Sequence, residues 1–114
     1  MSSDAKAHYD TNPTRMSAAR SAMPDAAKGF GGLFQAVMRD GALTVREKEL
    51  ISLGMGLALR CDPCVYAHVE KALRAGATRE QVLETAAVAV MMQGGPAYTY
   101  LPKVVEALDA LAET

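Results

Sequence analysis

The pattern of apolar and polar positions is helical over most of the chain, and two capping boxes mark where long helices begin. Thr44-Val-Arg-Glu47 and Thr78-Arg-Glu-Gln81 each place a hydroxyl at the N-cap and a side-chain acceptor three residues later. The first box predicts a helix over residues 45–59, whose faces beyond Leu50 are nearly all apolar, as in a buried central helix. The second predicts a helix that runs through Met92.

A proline opens each of three further predicted helices, where its missing N–H costs nothing. These helices are expected over residues 25–38, 62–75 and 96–112. Gly76 suits the C′ position after the second of them, and Gly94-Gly95 separates the third from the helix before it. No segment shows a convincing strand pattern, so the sequence predicts an all-α fold.

The domain organisation follows from where the pattern begins. Residues 1–22 are polar and poorly patterned, which predicts an N-terminal arm with one short helix over residues 15–22. Residues 23–114 are expected to form one compact domain of five to six mostly antiparallel helices, because the connections are short. Four residues are predicted to be core and packing residues: Met91, Met92, Tyr98 and Tyr100.

Composition and charge exclude several function classes. The net charge of −1 leaves no basic face for phosphates, so we expect no nucleic-acid partner. No apolar run approaches the ~20 residues of a membrane helix, and the N-terminus lacks the apolar segment of a signal peptide. We therefore expect a cytoplasmic protein. Aromatic residues make up 5% of the chain, and such a thin core favours subunits that share buried surface.

Both cysteines and one of the two histidines lie within Cys61-Asp-Pro-Cys64-Val-Tyr-Ala-His68. Cysteines three residues apart can close a small disulfide ring, and in the cytoplasm such a pair indicates redox chemistry or metal binding more than a structural link. On a helix that begins near Cys61, steps of three and four residues put these side chains on one face. The helix N-terminus favours a thiolate, and His68 can accept the proton of Cys64.

Glu49 is the predicted acidic partner of His68. It shares a helix face with Leu53 and Leu57, which indicates partial burial, and it can exchange a proton with His68 directly or through water. Glu47 competes for this role, but its position in the capping box already gives it a structural one.

Two other interpretations of the motif compete with a redox pair. The cysteines can be ordinary core residues. Alternatively, Cys61, Cys64, His68 and Glu49 supply four zinc ligands, although three of them lie on about one and a half turns of a single helix, which suits a tetrahedral site poorly. We therefore predict no metal and no cofactor.

The combined pattern of Glu49, eleven residues, Cys61, two residues, Cys64, three residues and His68 resembles the alkylhydroperoxidase-D-like proteins of the carboxymuconolactone decarboxylase superfamily. The resemblance spans about residues 25–110. It implies that Cys64 is the attacking thiolate, that Cys61 resolves it to a disulfide, and that His68 and Glu49 relay the proton. It also implies a hydroperoxide or disulfide substrate, a dithiol reductant such as a lipoyl or thioredoxin-like protein, and a trimer or hexamer.

One departure from the resemblance lies between the cysteines. Asp62-Pro63 replaces the polar and aromatic pair expected there, and an acidic neighbour opposes thiolate formation. Two alternatives remain open beside a thiol peroxidase or disulfide reductase. One is an acid–base enzyme on a small cyclic acid, as in the decarboxylase branch, and the other is a non-catalytic oligomer that responds to oxidation.

Overall fold

The computed structural model describes residues 3–113, which form helices joined by short loops and contain no strand. The helices are α1 (Asp4–Ala22), α2 (Pro24–Val37), α3 (Val45–Ala58), α4 (Asp62–Arg74), α5 (Arg79–Gln93), α6 (Gly95–Tyr98) and α7 (Leu101–Ala112). The predicted all-α fold is confirmed, and α6 is a single turn. Among the described residues, no helix combines the length and the apolar character needed to cross a membrane.

Helices α3 and α4 form the centre of the molecule. Leu53 and Leu57 of α3 and Val65 and Val69 of α4 are fully buried. Helix α5 packs mainly against α3, and α7 packs mainly against α4, with smaller contacts from α1 to α4 and from α6 to α3. The predicted central position of the helix after Thr44 is confirmed, but its predicted burial on nearly all faces was wrong for the single chain, because Ile51 and Met55 are 50% and 61% exposed.

Both capping boxes form as predicted. The Glu47 amide donates to the Thr44 hydroxyl at 3.1 Å, and the Thr44 amide donates back to the Glu47 carboxylate at 2.8 Å. Thr78 and Gln81 repeat the arrangement at 3.1 and 3.0 Å. Each box satisfies two backbone N–H groups that the first helical turn leaves unpaired, and so determines where α3 and α5 begin.

The turn that joins α3 to α4 is tight because α3 ends in a left-handed residue. Arg60 has a φ of 54°, and the Cys61 amide donates to the Gly56 carbonyl at 3.0 Å. Helix α4 ends the same way, but there the left-handed residue is Gly76, as the sequence predicts. The Arg60 turn brings Cys61 directly to the N-cap of α4.

The predicted short helix over residues 15–22 was wrong in extent, because α1 runs from Asp4 to Ala22. Its surface is polar nearly all round, so periodicity could not reveal it. Two residues near its start attach it to the rest of the protein. Ala5 is fully buried, and the Tyr9 hydroxyl donates to the Tyr66 carbonyl of α4 at 2.6 Å.

The single helix predicted over residues 96–112 was also wrong, since the chain forms α6 and α7 with a break at Thr99 and Tyr100. Pro102 accounts for the break. It has no N–H to donate to the Tyr98 carbonyl, and its ring would clash with that carbonyl in a continuous helix.

Several apolar side chains lie on the surface of the chain. Met91, Met92 and Tyr98 are 71%, 76% and 63% exposed, so their predicted place in the core was wrong for a single chain. Tyr100, the fourth predicted packing residue, is half-buried and uses its hydroxyl in hydrogen bonds described below. Every residue of α2, which lies wholly within the described part of the chain, has some exposure above the buried range.

Gly56 permits the close approach of α3 to α4. A Cβ atom at this position would lie 2.8 Å from the Cβ of Cys64, well inside normal contact distance. The conflict involves an atom attached directly to the α4 backbone, so a side-chain rotation cannot relieve it. Gly54, two residues earlier, has room, because its Cβ would lie 3.7 Å from the Thr85 methyl group. The two glycines of α3 therefore differ in their roles.

We predict opposite effects of alanine at these two glycines. Gly56→Ala should lower the free energy of unfolding by about 1–3 kcal/mol, because it forces the two central helices apart. Gly54→Ala should leave stability unchanged or raise it by up to about 1 kcal/mol through helix propensity. Urea denaturation of the oxidised proteins measures both. Equal stability of the two variants would contradict the close approach.

Candidate active site

The two cysteines are joined in a disulfide at the start of α4, with their Cα atoms 5.2 Å apart. Cys61 occupies the N-cap, and its sulfur accepts a hydrogen bond from the Cys64 amide at 3.3 Å. Pro63 lies in the first turn, where a proline is compatible with the helix. The pair therefore lies at the positive end of the α4 dipole, which favours negative charge on sulfur once the disulfide is reduced.

Glu49 and His68 meet across the interface between α3 and α4. The His68 Nδ1 atom lies 2.7 Å from the Glu49 Oε1 atom, and the Glu49 residue is only 3% exposed. A neutral His68 that donates from Nδ1 carries its lone pair on Nε2, so the carboxylate selects the tautomer whose Nε2 atom can accept a proton. The pairing of Glu49 with His68 predicted from spacing is present in the structure.

The four predicted site residues all lie at the junction of α3 and α4. His68 lies one helical turn beyond Cys64 on α4, on the same face. Glu49 reaches this face from α3, whose packing against Cys64 depends on Gly56. Sequence reasoning did not identify Gly56. Two glycines within an apolar helix are nevertheless a signal, because each lowers the stability of the helix by about 1 kcal/mol, a cost that close packing against a neighbouring helix can offset.

Glu47, the rival acid, does not lie at this junction. Its carboxylate serves the capping box, and the hydrogen bonds from the Thr44 backbone and hydroxyl lower the pKa of the Glu47 carboxyl group. The assignment of Glu47 to a structural role is consistent with these contacts.

A second polar network surrounds Asp62, the acidic residue between the cysteines. Lys103 of α7 lies 3.1 Å from Asp62 Oδ2, and the Tyr100 hydroxyl donates to Asp62 Oδ1. The same hydroxyl lies 3.1 Å from the Arg60 carbonyl oxygen, on the other side of Cys61. The hydrogen bond from Tyr100, with a further contribution from Lys103, lowers the pKa of Asp62. Sequence reasoning missed this network.

Lys103 also has neighbours from α1 and α4. Asp4 approaches its ammonium group at 3.9 Å. The buried Tyr66 hydroxyl of α4 makes no hydrogen bond of normal geometry within residues 3–113, but it lies near enough to Lys103 to interact with its ammonium group. Burial raises the pKa of Tyr66, and the positive charge of Lys103 opposes that rise. The hydrogen bond to Asp62 is the main reason why the pKa of Lys103 is raised.

The zinc interpretation of the motif requires Cys61, Cys64, His68 and Glu49 to converge on one ion. Within residues 3–113, no cluster of three or more His, Cys, Asp or Glu side chains is arranged to hold a metal ion. The two cysteine sulfurs are engaged with each other.

Known proteins resemble this chain over nearly its whole length. An uncharacterized protein from Cupriavidus necator is 37% identical over 111 residues, which cover 97% of this chain and 98% of that protein. The crystal structure of a carboxymuconolactone decarboxylase family protein from Legionella pneumophila superposes with a TM-score of 0.82 at 38% identity, covering 97% of both chains.

A third similar protein adds a functional indication about itself. It is a carboxymuconolactone decarboxylase family protein from Thermotoga maritima, for which an involvement in antioxidative response has been suggested. Its structure matches with a TM-score of 0.71 at 34% identity and covers 77% of this chain and 91% of its own.

A family model agrees with these likenesses. The model of the carboxymuconolactone decarboxylase family matches residues 24–111, which include α2 to α6 and nearly all of α7. The disulfide at the N-terminus of α4 and the Glu49–His68 pair both lie inside the matched region. The chain therefore belongs to the carboxymuconolactone decarboxylase family.

Proposed function

We propose that this protein is a thiol-dependent oxidoreductase that reduces hydroperoxides, or a disulfide of a partner protein, with the Cys61–Cys64 dithiol. The observation that carries the proposal is the coincidence of two features at one helix junction: a cysteine pair at a helix N-terminus and a buried carboxylate bonded to a histidine one turn away. The antioxidative role suggested for the similar Thermotoga maritima protein supports the same chemistry.

The first step is attack by Cys64 on the peroxide. His68, held by Glu49, accepts the Cys64 proton, and the thiolate attacks the terminal oxygen of the hydroperoxide. The O–O bond breaks, and sulfur is oxidised to a sulfenic acid while the peroxide is reduced. The departing alkoxide takes a proton, which the imidazolium of His68 can supply, and leaves as an alcohol.

The second step forms the disulfide. The Cys61 sulfur attacks the Cys64 sulfenic acid, and the hydroxyl group leaves with a proton as water. Because Cys61 is the N-cap of the helix that carries Cys64, closing the ring needs no large movement of the backbone. This oxidised form is the one that the structure describes.

The third step restores the dithiol. A dithiol reductant attacks the disulfide, forms a mixed disulfide, and then releases itself as its own disulfide through its second thiol. We propose a lipoyl or thioredoxin-like protein of the cytoplasm as this reductant. A disulfide of a partner protein can replace the peroxide as the acceptor of the two electrons. The Cys61–Cys64 dithiol then reduces that disulfide through a mixed disulfide, which is the reverse of the third step.

We also propose that the active protein is a homo-oligomer, a trimer or hexamer. Phe30, Leu33 and Val37 are spaced along α2, and they are 69%, 60% and 50% exposed in the single chain. Met55 and Leu59 near the end of α3 are 61% and 74% exposed. Large apolar side chains gathered at this density on a chain with a thin core favour burial against another copy.

A second candidate function rests on the Glu49–His68 pair alone. A buried carboxylate bonded to a histidine also suits proton transfer on a small cyclic acid, the chemistry that gives the family its name. In that case the cysteines contribute nothing to turnover, and replacing either of them leaves activity intact.

We predict that the reduced protein loses two thiols per chain when it receives a stoichiometric amount of tert-butyl hydroperoxide. Dihydrolipoamide should restore both. Thiol counting with a chromogenic disulfide before and after each addition measures the cycle. Thiols that stay free after the peroxide would contradict the peroxidase function and leave disulfide reduction and acid–base chemistry to be tested by substrate.

The cysteine variants separate the two thiols in the same assay. Cys64→Ser should abolish peroxide consumption, whereas Cys61→Ser should consume one equivalent and leave a sulfenic acid that dimedone traps. Peroxide consumption by Cys64→Ser at nearly the wild-type rate would show that the attacking thiol has been assigned wrongly.

We predict that the wild-type protein sediments as a species well above its 12.1 kDa chain mass. The double variant Phe30→Glu/Leu33→Glu should sediment as a smaller species, because it places two charges on the exposed apolar face of α2. Gln35→Glu, on the same helix at an exposed polar position, is the matched control and should assemble normally. A wild-type monomer in sedimentation velocity would rule out the oligomer.

A further inference from the structure

We propose that Tyr100 and Lys103 form a clamp on Asp62 that favours the thiolate form of the reduced Cys61–Cys64 pair. We call these two residues the Asp62 clamp. They are positioning residues, since they act on the dithiol through Asp62 and not by contact with a substrate. The inference deepens the proposed function and rests on it, because it concerns how the same dithiol is tuned for attack.

The need for a clamp arises from the position of Asp62. Its carboxylate belongs to the residue next to Cys61 and two residues before Cys64, and an unpaired negative charge there raises the pKa of a nearby thiol. That effect would oppose the helix N-terminus, which favours a thiolate. The thiolate can therefore remain favoured next to Asp62 only if a cation or a strong hydrogen-bond donor lies beside this carboxylate.

Helix α7 and the residue before it supply both. Lys103 Nζ lies 3.1 Å from one carboxylate oxygen of Asp62, and the Tyr100 hydroxyl donates to the other. The Lys103 side chain is 24% exposed and that of Asp62 is 40% exposed. A pair this open to water adds little to stability, but it reduces the negative potential that the adjacent sulfurs experience.

The Tyr100 hydroxyl also ties together the chain on both sides of Cys61. It lies within hydrogen-bond distance of the Arg60 carbonyl as well as of Asp62. One hydroxyl proton can serve only one acceptor at a time, and the charged carboxylate of Asp62 is a stronger acceptor than the Arg60 carbonyl. The contact with Asp62 holds its carboxylate toward α7.

Other charged groups that face the dithiol come from the remaining packed helices. From α3, Glu49 is engaged with His68 of α4. From α1, Asp4 approaches Lys103 at 3.9 Å and is itself mostly exposed, so it competes weakly with Asp62 for the same cation. Tyr66 adds an uncharged hydroxyl whose pKa is raised by burial. Lys103 is therefore the cation that contacts Asp62 directly.

The test measures the rate at which each thiol reacts with iodoacetamide as a function of pH. Full-length proteins carrying either Cys61→Ser or Cys64→Ser each report one thiol. Lys103→Met keeps most of the length of the side chain and removes its charge. Near pH 7 this variant should slow alkylation by about threefold, with the larger effect at Cys61. A factor of about three is the effect of one unscreened charge at roughly 7 Å in a largely aqueous environment. Lys28→Met, at an exposed position on α2, is the matched control and should change nothing.

The Asp62 clamp predicts two further results that a general loss of structure would not produce. The difference between Lys103→Met and wild type should shrink in 1 M KCl, where charges are screened within about 3 Å. In an Asp62→Asn background, Lys103→Met should have a clearly smaller effect, because the ammonium group is then no longer held beside the sulfurs by the carboxylate. If Lys103→Met alone does not fold, Tyr100→Phe, which removes only the hydroxyl group that donates to Asp62, replaces it in the same assay and should slow alkylation in the same direction.

Two results would overturn the proposal. One is that neither thiol changes its alkylation rate in Lys103→Met. The other is that the effect persists undiminished in the Asp62→Asn background, which would mean that Lys103 acts on the thiols without Asp62. Alkylation needs no peroxide, so a protein that consumes no peroxide yet shows the predicted rates refutes the peroxidase function and leaves the clamp intact.

Discussion

The close packing of α3 against α4 is the constraint on which the rest of the structure depends. The carboxylate of Glu49 is buried in this interface, and a buried charge is costly unless it has a partner. His68 of α4 provides that partner at 2.7 Å, but only because the helices approach closely enough at Gly56 and Cys64. A wider interface would separate the acid both from the histidine and from the cysteines of α4.

Two polar networks then lie on different sides of the same disulfide. The Glu49–His68 pair lies in the buried interface between α3 and α4. The Asp62 clamp is nearer to solvent and is supplied by α7 and the residue before it. In our account the first network moves the proton, and the second offsets the charge of an acidic residue that the motif carries between its cysteines. A helix N-terminus between these networks gives the two sulfurs an environment that favours the thiolate.

Local signals predicted much of this structure, and contacts between distant segments account for what they missed. The capping boxes at Thr44 and Thr78 and the Cys61 motif rely on neighbours three or four residues apart, which the sequence displays directly. The extent of α1 and the clamp on Asp62 depend on which helices cross, and no local pattern contains that information. Helix α1 has a polar surface and is attached through Ala5 and Tyr9, while Tyr100 reaches a residue 38 positions earlier in the chain.

The central claim is that Glu49 activates the cysteine pair through His68, and the pH dependence of a single turnover tests it most directly. Glu49→Gln keeps the size and the hydrogen-bonding capacity of the side chain but removes its charge. We predict that the rate of thiol loss after one dose of tert-butyl hydroperoxide falls by about 10²-fold or more, as expected for loss of an acid–base group, while the variant stays folded by circular dichroism. A rate for Glu49→Gln within about twofold of wild type at every pH would contradict the account, because a factor that small is far below what acid–base catalysis contributes.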